Sequence, residues 1–362
     1  MAAGQSEKAR IAAIAEAAGL KLGSVGSLTI RRERRGKGFC YRNGLGRLIR
    51  DADTIRRIRS LAIPPAYHNV RVAPHPRQHL QAVGIDAAGR RQHRYHPDWA
   101  KVRERLKVQR LASMVDSLPA VRARVARDLK GKDTDRRLAS AIAVALIDDQ
   151  LIRVGSESYA RRDGGRGAAS LLKRDVTVNA RELEFCFRGK GGSIVNCTTT
   201  HASLVRAIRR MLKLPGARLL RFHDEAGRLR NLTSAEVNRY LQEAAGSPVT
   251  AKDLRMLGAS AAAAELLAKV KPARVERRRR KQVAEVIAEV AESLANTPAV
   301  ARKSYVHEAI PIGFETGTLA RVHARTRGGG GVRKAEKTVA RLARRYARKP
   351  PGPGVAGPAH SR

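Results

Sequence analysis

Cysteine is scarce. The three in 362 residues, Cys40, Cys186 and Cys197, are too few and too scattered for a disulfide framework, and no CxxC spacing marks a zinc site. They read as buried or idle thiols of a reducing compartment, with no metal and no cofactor expected. Long apolar runs are missing as well: segment 259–270 (ASAAAAELLAKV) is broken by Glu265 and Lys269, so no membrane span and a soluble chain are expected. A nucleotide-binding phosphate loop is absent, because Phe185 and Glu184 stand where the first glycine would have to precede Gly189-Lys190. The first residues carry no apolar stretch with a cleavage site, and Glu7 and Glu16 argue against a transit peptide. The largest deficit is in acid: 32 Asp and Glu face 73 Lys and Arg, a formal net charge of +41. Self-repulsion on that scale calls for a polyanionic partner. At 43% hydrophobic the chain still has a core to bury, and its length suits two domains with extensions.

Patterning divides the chain. Residues 1–26 read as a flexible or partly helical arm. Residues 27–106 read as a small β-rich domain, with a hairpin signal at Asn43-Gly44-Leu45-Gly46 and short strands at 69–73 and 90–95 between prolines and glycines. From 107 to 315 the period turns helical: Leu138, Ile142, Ala145 and Leu146 share one stripe, as do Val283, Val286, Ile287, Val290 and Leu294. Within it, 175–195 alternates around a Gly189-Lys190-Gly191-Gly192 turn, predicting a small antiparallel sheet with a lysine at a hairpin tip. Residues 316–362 carry twelve Lys or Arg against one Glu, a net charge of +11, and read as a basic disordered tail adding nonspecific affinity, with a basic helix as an option over 332–349. The fold class is α+β.

Three cations stand beside apolar segments or in turns: Arg153 after Leu151-Ile152, Lys190 in its glycine turn, and Arg255 after Leu254. Cations so placed suit phosphate, Arg as a permanent planar fork and Lys as a group that can also release a proton. Taken singly, each is an ordinary surface or salt-bridged cation. Tyr305 changes the odds. Thr297 is a good helix cap and Pro298 suits a first turn, which puts Tyr305 two turns into a short helix. Alone it would be a packing aromatic, but a phenol can store a phosphodiester bond when cations stabilise the attacking phenoxide and the charge on phosphorus.

Six ordered blocks carry a likeness: 61–66 (LAIPPA), 89–96 (GRRQHRYH), 151–160 (LIRVGSESYA), 187–192 (FRGKGG), 250–258 (TAKDLRMLG) and 296–305 (NTPAVARKSY). From about Gly36 to Ile310 the chain resembles the type IB DNA topoisomerases, in particular their compact bacterial and poxvirus-like branch. The resemblance implies a β-rich DNA-binding domain and a helical catalytic domain, of the kind shared with tyrosine recombinases, forming a C-shaped clamp on duplex DNA with a flexible connection near 100–110. It implies that Tyr305 attacks a backbone phosphorus to make a 3′-phosphotyrosyl link, that Arg153 and Arg255 hold the scissile phosphate, and that Lys190 acts as general acid towards the leaving 5′ oxygen. Asn296 matches a phosphate donor that is histidine in poxvirus-like and eukaryotic members and commonly asparagine in bacterial ones, so here it can act through hydrogen bonds alone. Gln92, His93 and Tyr95 match a groove-contacting element in which His93 replaces an aromatic hydroxyl, and Tyr159 and Lys252 match residues near the scissile phosphate.

Two departures stand out: Gly167-Ala168-Ala169-Ser170-Leu171 replaces a Gly-Leu-Thr-Thr-Leu run, and Met256-Leu257 replaces Thr-Trp or Thr-Tyr after the second arginine. The implied activity is relaxation of supercoiled DNA by transient cleavage of one strand, without ATP or metal, by a monomer in a bacterial nucleoid. Two alternatives stay open. A tyrosine recombinase shares the Arg-Lys-Arg-Tyr chemistry, but has a His-x-x-Arg box where this chain has Lys252-Asp253-Leu254-Arg255. A non-enzymatic DNA-packaging protein would explain the charge and leave Tyr305 without a role.

Overall fold

The computed structural model describes residues 2–348, leaving out the side chains of residues 2–8 and of Tyr159. The chain divides into two units, Met1–Lys107 and Val108–Arg362. After helix α1 (Ala2–Ala17), the first unit is built on strands β1 (Ile30–Arg35), β2 (Gly38–Arg42), β3 (His68–Val72), β4 (Leu80–Ile85) and β5 (Arg91–Tyr95), with helix α2 (Ala52–Ser60) between β2 and β3. All pairings are antiparallel, in the order β2-β1-β3-β4-β5. Alternation puts Ile30, Val70, Val72 and Ala82 on one face, where they bury against Ile58 of α2, while Leu80 and Val83 of β4 bury with Leu28 and Ala73 in a second cluster. Asp51 caps α2 by accepting from Thr54 N–H at 2.8 Å.

Two expectations for this unit are corrected. The β1–β2 hairpin turns at Gly36-Lys37, where Arg35 pairs with Gly38 and Gly36 takes φ +56°. Asn43–Gly46 is a later turn: Asn43 Oδ1 accepts from Leu45 and Arg47 N–H, so its side chain closes its own loop beside an isolated Arg42–Leu48 bridge. The arm is partly helical, as α1 shows, but it is docked and not loose. Ile11, Ile14, Ala15 and Leu20 pack with Trp99, Val102 and Leu106, and Arg77 donates to the Ala18 and Gly19 carbonyls that end α1. Residues 100–110 lie within helix α3 (Trp99–Asp128).

The second unit follows as α4 (Arg136–Gln150), α5 (Glu157–Asp163), strands β6 (Val176–Val178), β7 (Leu183–Arg188) and β8 (Ile194–Thr199), α6 (Ala202–Leu212), the β9 (Arg221–His223) and β10 (Leu229–Asn231) hairpin, α7 (Ser234–Ala245), α8 (Ala251–Ala268), α9 (Glu276–Ser293), α10 (Pro298–Ser304), α11 (Ala309–Glu315), α12 (Thr318–Ala324) and α13 (Lys334–Arg348). The predicted stripes face the core: Leu138, Ile142 and Leu146 on α4, and Val283, Val286, Ile287 and Val290 on α9 with Leu294 just beyond it. Ala145 is only partly buried. The sheet expected over 175–195 forms in the order β6-β7-β8, with Arg188 opposite Ile194 across the glycine turn. Alanine-rich α8 runs through this core, its small side chains letting neighbouring helices approach.

The disordered tail at 316–362 is corrected for its larger part. α12 and α13 pack on α8 and α11, burying Leu319, Val332, Ala335, Val339, Leu342 and Ala343. The apolar positions of α13 recur at helical spacing, so one face is dry although the helix is basic overall. Glu336, 1% exposed, accepts from Arg122, which also holds Asp148. Burial opposes the charge on Arg122, but hydrogen bonds to these two carboxylates outweigh it and raise its pKa. The end of the expected tail, 349–362, lies outside the described residues.

Candidate active site

Arg153 owes its place to backbone devices on both sides. α4 ends at Leu151 in the left-handed conformation, φ +52°. A Cβ on Gly258 of α8 would lie 2.3 Å from Leu151 Cδ2, so only glycine admits that side chain. The Arg153 and Val154 carbonyls then accept from Ala168 and Ala169 N–H, each at 2.8 Å. Gly167 makes this clamp possible: a Cβ there would meet Arg153 O at 2.3 Å.

Arg255 comes from the second turn of α8, which Thr250 and Asp253 cap reciprocally. It is 3% exposed and donates from Nη2 to the Leu294 carbonyl at 2.5 Å. That carbonyl is among those left unpaired where α9 ends. Ala295, at φ +46°, reverses the chain, and Asn296 N–H returns to Ala291 O at 2.9 Å, a Schellman closure with alanine where glycine is usual. Asn296 Oδ1 accepts from Arg153 Nη2, which points the amide nitrogen the other way. One residue on, Thr297 caps α10 with Pro298 in its first turn, as expected, and Tyr305 stands at the C-cap. The Arg255 guanidinium lies over the Tyr305 ring, 4.8 Å from its centroid.

Thus Arg153, Asn296, Arg255 and Tyr305, spread over 153 to 305 in the sequence, form one connected group. Burial lowers the pKa of Arg255 to about 10; Tyr305 opposes that shift and the charge of Arg153 adds to it. Arg255 Nε and Asn296 Nδ2 are buried and meet no acceptor within the protein. Two cations that repel and two donors that lack partners are the makings of an anion site. Arg153, Arg166, Gly189, Arg255 and Leu294 line one narrow cleft. Gly189 begins the β7–β8 turn, so exposed Lys190 is attached at the edge of that cleft. Its backbone is backed by Gly165, where a Cβ would meet Gly189 O at 3.0 Å. Asp163 is held below the usual carboxylate range mainly by Arg162, with Arg188 and Lys190 contributing their charge.

Comparison with known proteins decides the family. Residues 96–311 match the family described as eukaryotic DNA topoisomerase I, catalytic core, and residues 38–86 match the bacterial DNA topoisomerase IB N-terminal domain. Over 284 residues the chain is 32% identical to DNA topoisomerase 1B of Acanthamoeba polyphaga mimivirus, covering 76% of this chain and 84% of the relative. The chain belongs to the type IB DNA topoisomerases. The recombinase and packaging readings are set aside, and DNA is the substrate.

In this topoisomerase the departures from the family pattern point into the core. Ala168, Ala169, Met256 and Leu257 are all buried, and 168–169 serve through backbone N–H groups that any residue supplies. Lys252 is exposed one turn before Arg255. Tyr159 lies in α5, its side chain outside the described residues. On edge strand β5, alternation separates the three expected DNA contacts. His93 and Tyr95 share a face and stack at 6.0 Å, and Tyr95 stacks in turn on Trp99 at 6.3 Å. Gln92 points to the other face, where it donates to Asp86 at 2.8 Å. Asp86 also accepts from Ala88 and Arg90 N–H, and the Arg90 backbone bond leads the causes that lower its pKa to about 2.

Two residues of the site escaped the sequence reading. Arg166 lines the cleft and pairs with buried Asp175 at 3.0 Å; it lies in the loop between α5 and β6, where no periodicity flags it. Ser260 donates to the Tyr305 carbonyl; its one signal was a hydroxyl inside an alanine run. No helix among the described residues is long and apolar enough to cross a membrane.

Proposed function

We propose that Tyr305 is the nucleophile of this topoisomerase, and that Arg153, Arg255 and Asn296 bind the non-bridging oxygens of the scissile phosphate. The observation that carries the proposal is the pair of buried donors, Arg255 Nε and Asn296 Nδ2, that find no acceptor beside the Tyr305 ring. A phosphodiester supplies such acceptors and the negative charge that relieves the repulsion between the arginines. In the cleavage step the Tyr305 hydroxyl gives up its proton to solvent as its oxygen bonds to phosphorus, the bond from phosphorus to the 5′ oxygen breaks, and Lys190 gives that oxygen its proton with assistance from Arg153. Religation is the same step reversed, after the cut strand has swivelled. Phosphoester is exchanged for phosphoester, so the bond energy is conserved and neither ATP nor a metal is called for. One tyrosine cuts one strand, which suits a monomer.

His93 and Tyr95 supply an exposed ring pair for the groove, and Lys252 and Tyr159 support the backbone near the cut. Gln92 has one amide N–H engaged with Asp86, so a base contact would draw on its other N–H and its Oε1. The DNA substrate and the bacterial-type Asn296 favour a bacterial nucleoid as the place of action.

The test is covalent trapping on a suicide substrate under metal-free, low-salt conditions. Wild type forms a DNA-linked adduct, and Tyr305→Phe binds the same DNA with unchanged affinity and forms none. An adduct that persists in Tyr305→Phe would overturn the assignment.

A further inference from the structure

The backbone around Tyr305 is irregular where precision matters most. Tyr305 leaves the helix at φ −124° and ψ −39°, and both Tyr305 and Val306 N–H converge on the Ala301 carbonyl at 3.0 Å. The next polar groups, Tyr305 C=O and His307 N–H, therefore fall outside any helical ladder. Ser260 takes both. Its hydroxyl donates to Tyr305 O at 3.1 Å and accepts from His307 N–H at 3.0 Å. Ser260 is fully buried on α8 among alanines, where a further alanine would fill nearly the same space. The hydroxyl is thus accounted for by the joint it closes and not by packing. His307, 4% exposed, is pinned in turn: its Nδ1 accepts from Ala309 N–H at 3.1 Å, and its ring meets Tyr346 of α13 edge-on, 6.0 Å between centroids at 90°.

Resting on the reading of Tyr305 as nucleophile, we propose that Ser260 is a positioning residue for Tyr305, and that Tyr346 presses the other side of the same joint through His307. The carboxy-terminal helix then belongs to the cleavage apparatus. One element, α8, would carry both the cation on the tyrosine ring, Arg255, and the anchor of the tyrosine backbone, Ser260, five residues apart. Their separation is set by helix geometry, so ring and cation keep register through cleavage and religation alike. A nucleophile shifted by a fraction of an ångström loses the in-line approach on which most of its effective concentration depends.

The experiment uses the full chain, with melting curves to confirm that each variant is folded at the assay temperature, and reads single-turnover cleavage at saturating enzyme. Ser260→Ala is expected to slow cleavage and religation by similar factors, about 10- to 100-fold, leaving DNA affinity and the equilibrium fraction of adduct unchanged. Tyr346→Ala is expected to slow cleavage about three- to tenfold, the worth of one aromatic pair, while Tyr346→Phe, which keeps the ring, cleaves at the wild-type rate. Ser260→Ala cleaving within about twofold of wild type would overturn the positioning role. Tyr346→Ala and Tyr346→Phe behaving alike would overturn the part given to α13. Tyr305→Phe in the same series separates the two readings: loss of its adduct with normal Ser260→Ala rates removes only the positioning role, whereas an adduct in Tyr305→Phe removes the nucleophile itself.

Discussion

The two units hold the residues proposed to meet DNA in opposite ways. The amino-terminal unit displays His93 and Tyr95 in the open, on an edge strand, held by ring stacking and strand pairing alone. The carboxy-terminal unit gathers Arg153, Asn296 and Tyr305 from three helix boundaries and Arg255 from the second turn of α8, and fixes each by backbone: a clamp of N–H groups, a helix-end carbonyl, a Schellman closure and a serine bridge. The difference follows from the task. A surface that binds a groove can adjust on contact, whereas a site that moves charge between oxygens gains rate only if its donors are already aimed. Substitutions in the second unit should therefore act on chemistry, and those on the strand on affinity.

The largest effect expected is on the integrity of the second unit. Ending the chain after Glu315 removes α12 and α13 and with them buried Leu319, Val332, Val339 and Leu342. At about 1.5–3 kcal/mol for each such side chain, the loss rivals the entire stability of a typical domain, about 5–15 kcal/mol. It also leaves the Arg122–Asp148 pair without Glu336. The truncated chain is expected to lose the cooperative melting transition of the catalytic unit and all cleavage at 37 °C. A truncated protein that melts and cleaves like wild type would restore the view of this segment as a loose cationic tail.

That segment also marks where the sequence stopped being legible. The six blocks, the sheet around Lys190 and the cap on α10 were readable because each rests on local chemistry: a hydroxyl cap, a proline at a first turn, glycines at a hairpin tip. α13 has an equally regular stripe, but +11 of charge and the neighbouring glycines and prolines outweighed it, and a basic face says nothing about the dry one behind it. The hairpin was misplaced for the opposite reason, since Asn43-Gly44 carries the stronger turn signal while Gly36-Lys37 is what strand pairing selects. Ser260 and Arg166 were out of reach, because their partners lie 45 and 9 residues away and only folding brings them together.

A middle-sized effect tests the clamp behind Arg153. Gly167 has extended backbone, φ −162°, so conformation does not demand glycine there; space does, with Arg153 O 2.3 Å from a would-be Cβ. Gly167→Ala must push the Arg153 backbone away from Ala168 and Ala169 N–H. Single-turnover cleavage is expected to fall about 100-fold, as for other misplacements near an ångström, with DNA affinity preserved. Tyr95→Ala on the edge strand should do the reverse, weakening affinity and sparing the rate at saturation. If both variants change the same quantity, the contrast between the units is wrong.

The smallest effect is the sharpest, because it asks whether the rigidity of the second unit includes stored strain. Ala295 and Leu151 both adopt the left-handed region next to a site residue, one before Asn296 and the other two before Arg153. An L-residue there costs roughly 1–2 kcal/mol, which glycine avoids at the expense of about 0.4–1 kcal/mol of extra freedom in the unfolded chain. For Ala295 there is little side chain to lose, so Ala295→Gly should stabilise the protein by up to about 1 kcal/mol, visible as a rise in melting temperature. Leu151 packs into the space opened by Gly258, so Leu151→Gly should destabilise despite the same backbone relief. Cleavage by Ala295→Gly should match wild type, because the Schellman bond from Asn296 N–H to Ala291 O fixes the asparagine whichever residue makes the turn. A stabilised variant that cleaves slowly would mean instead that the strain at 295 aims Asn296, and that alanine stands there for its stiffness.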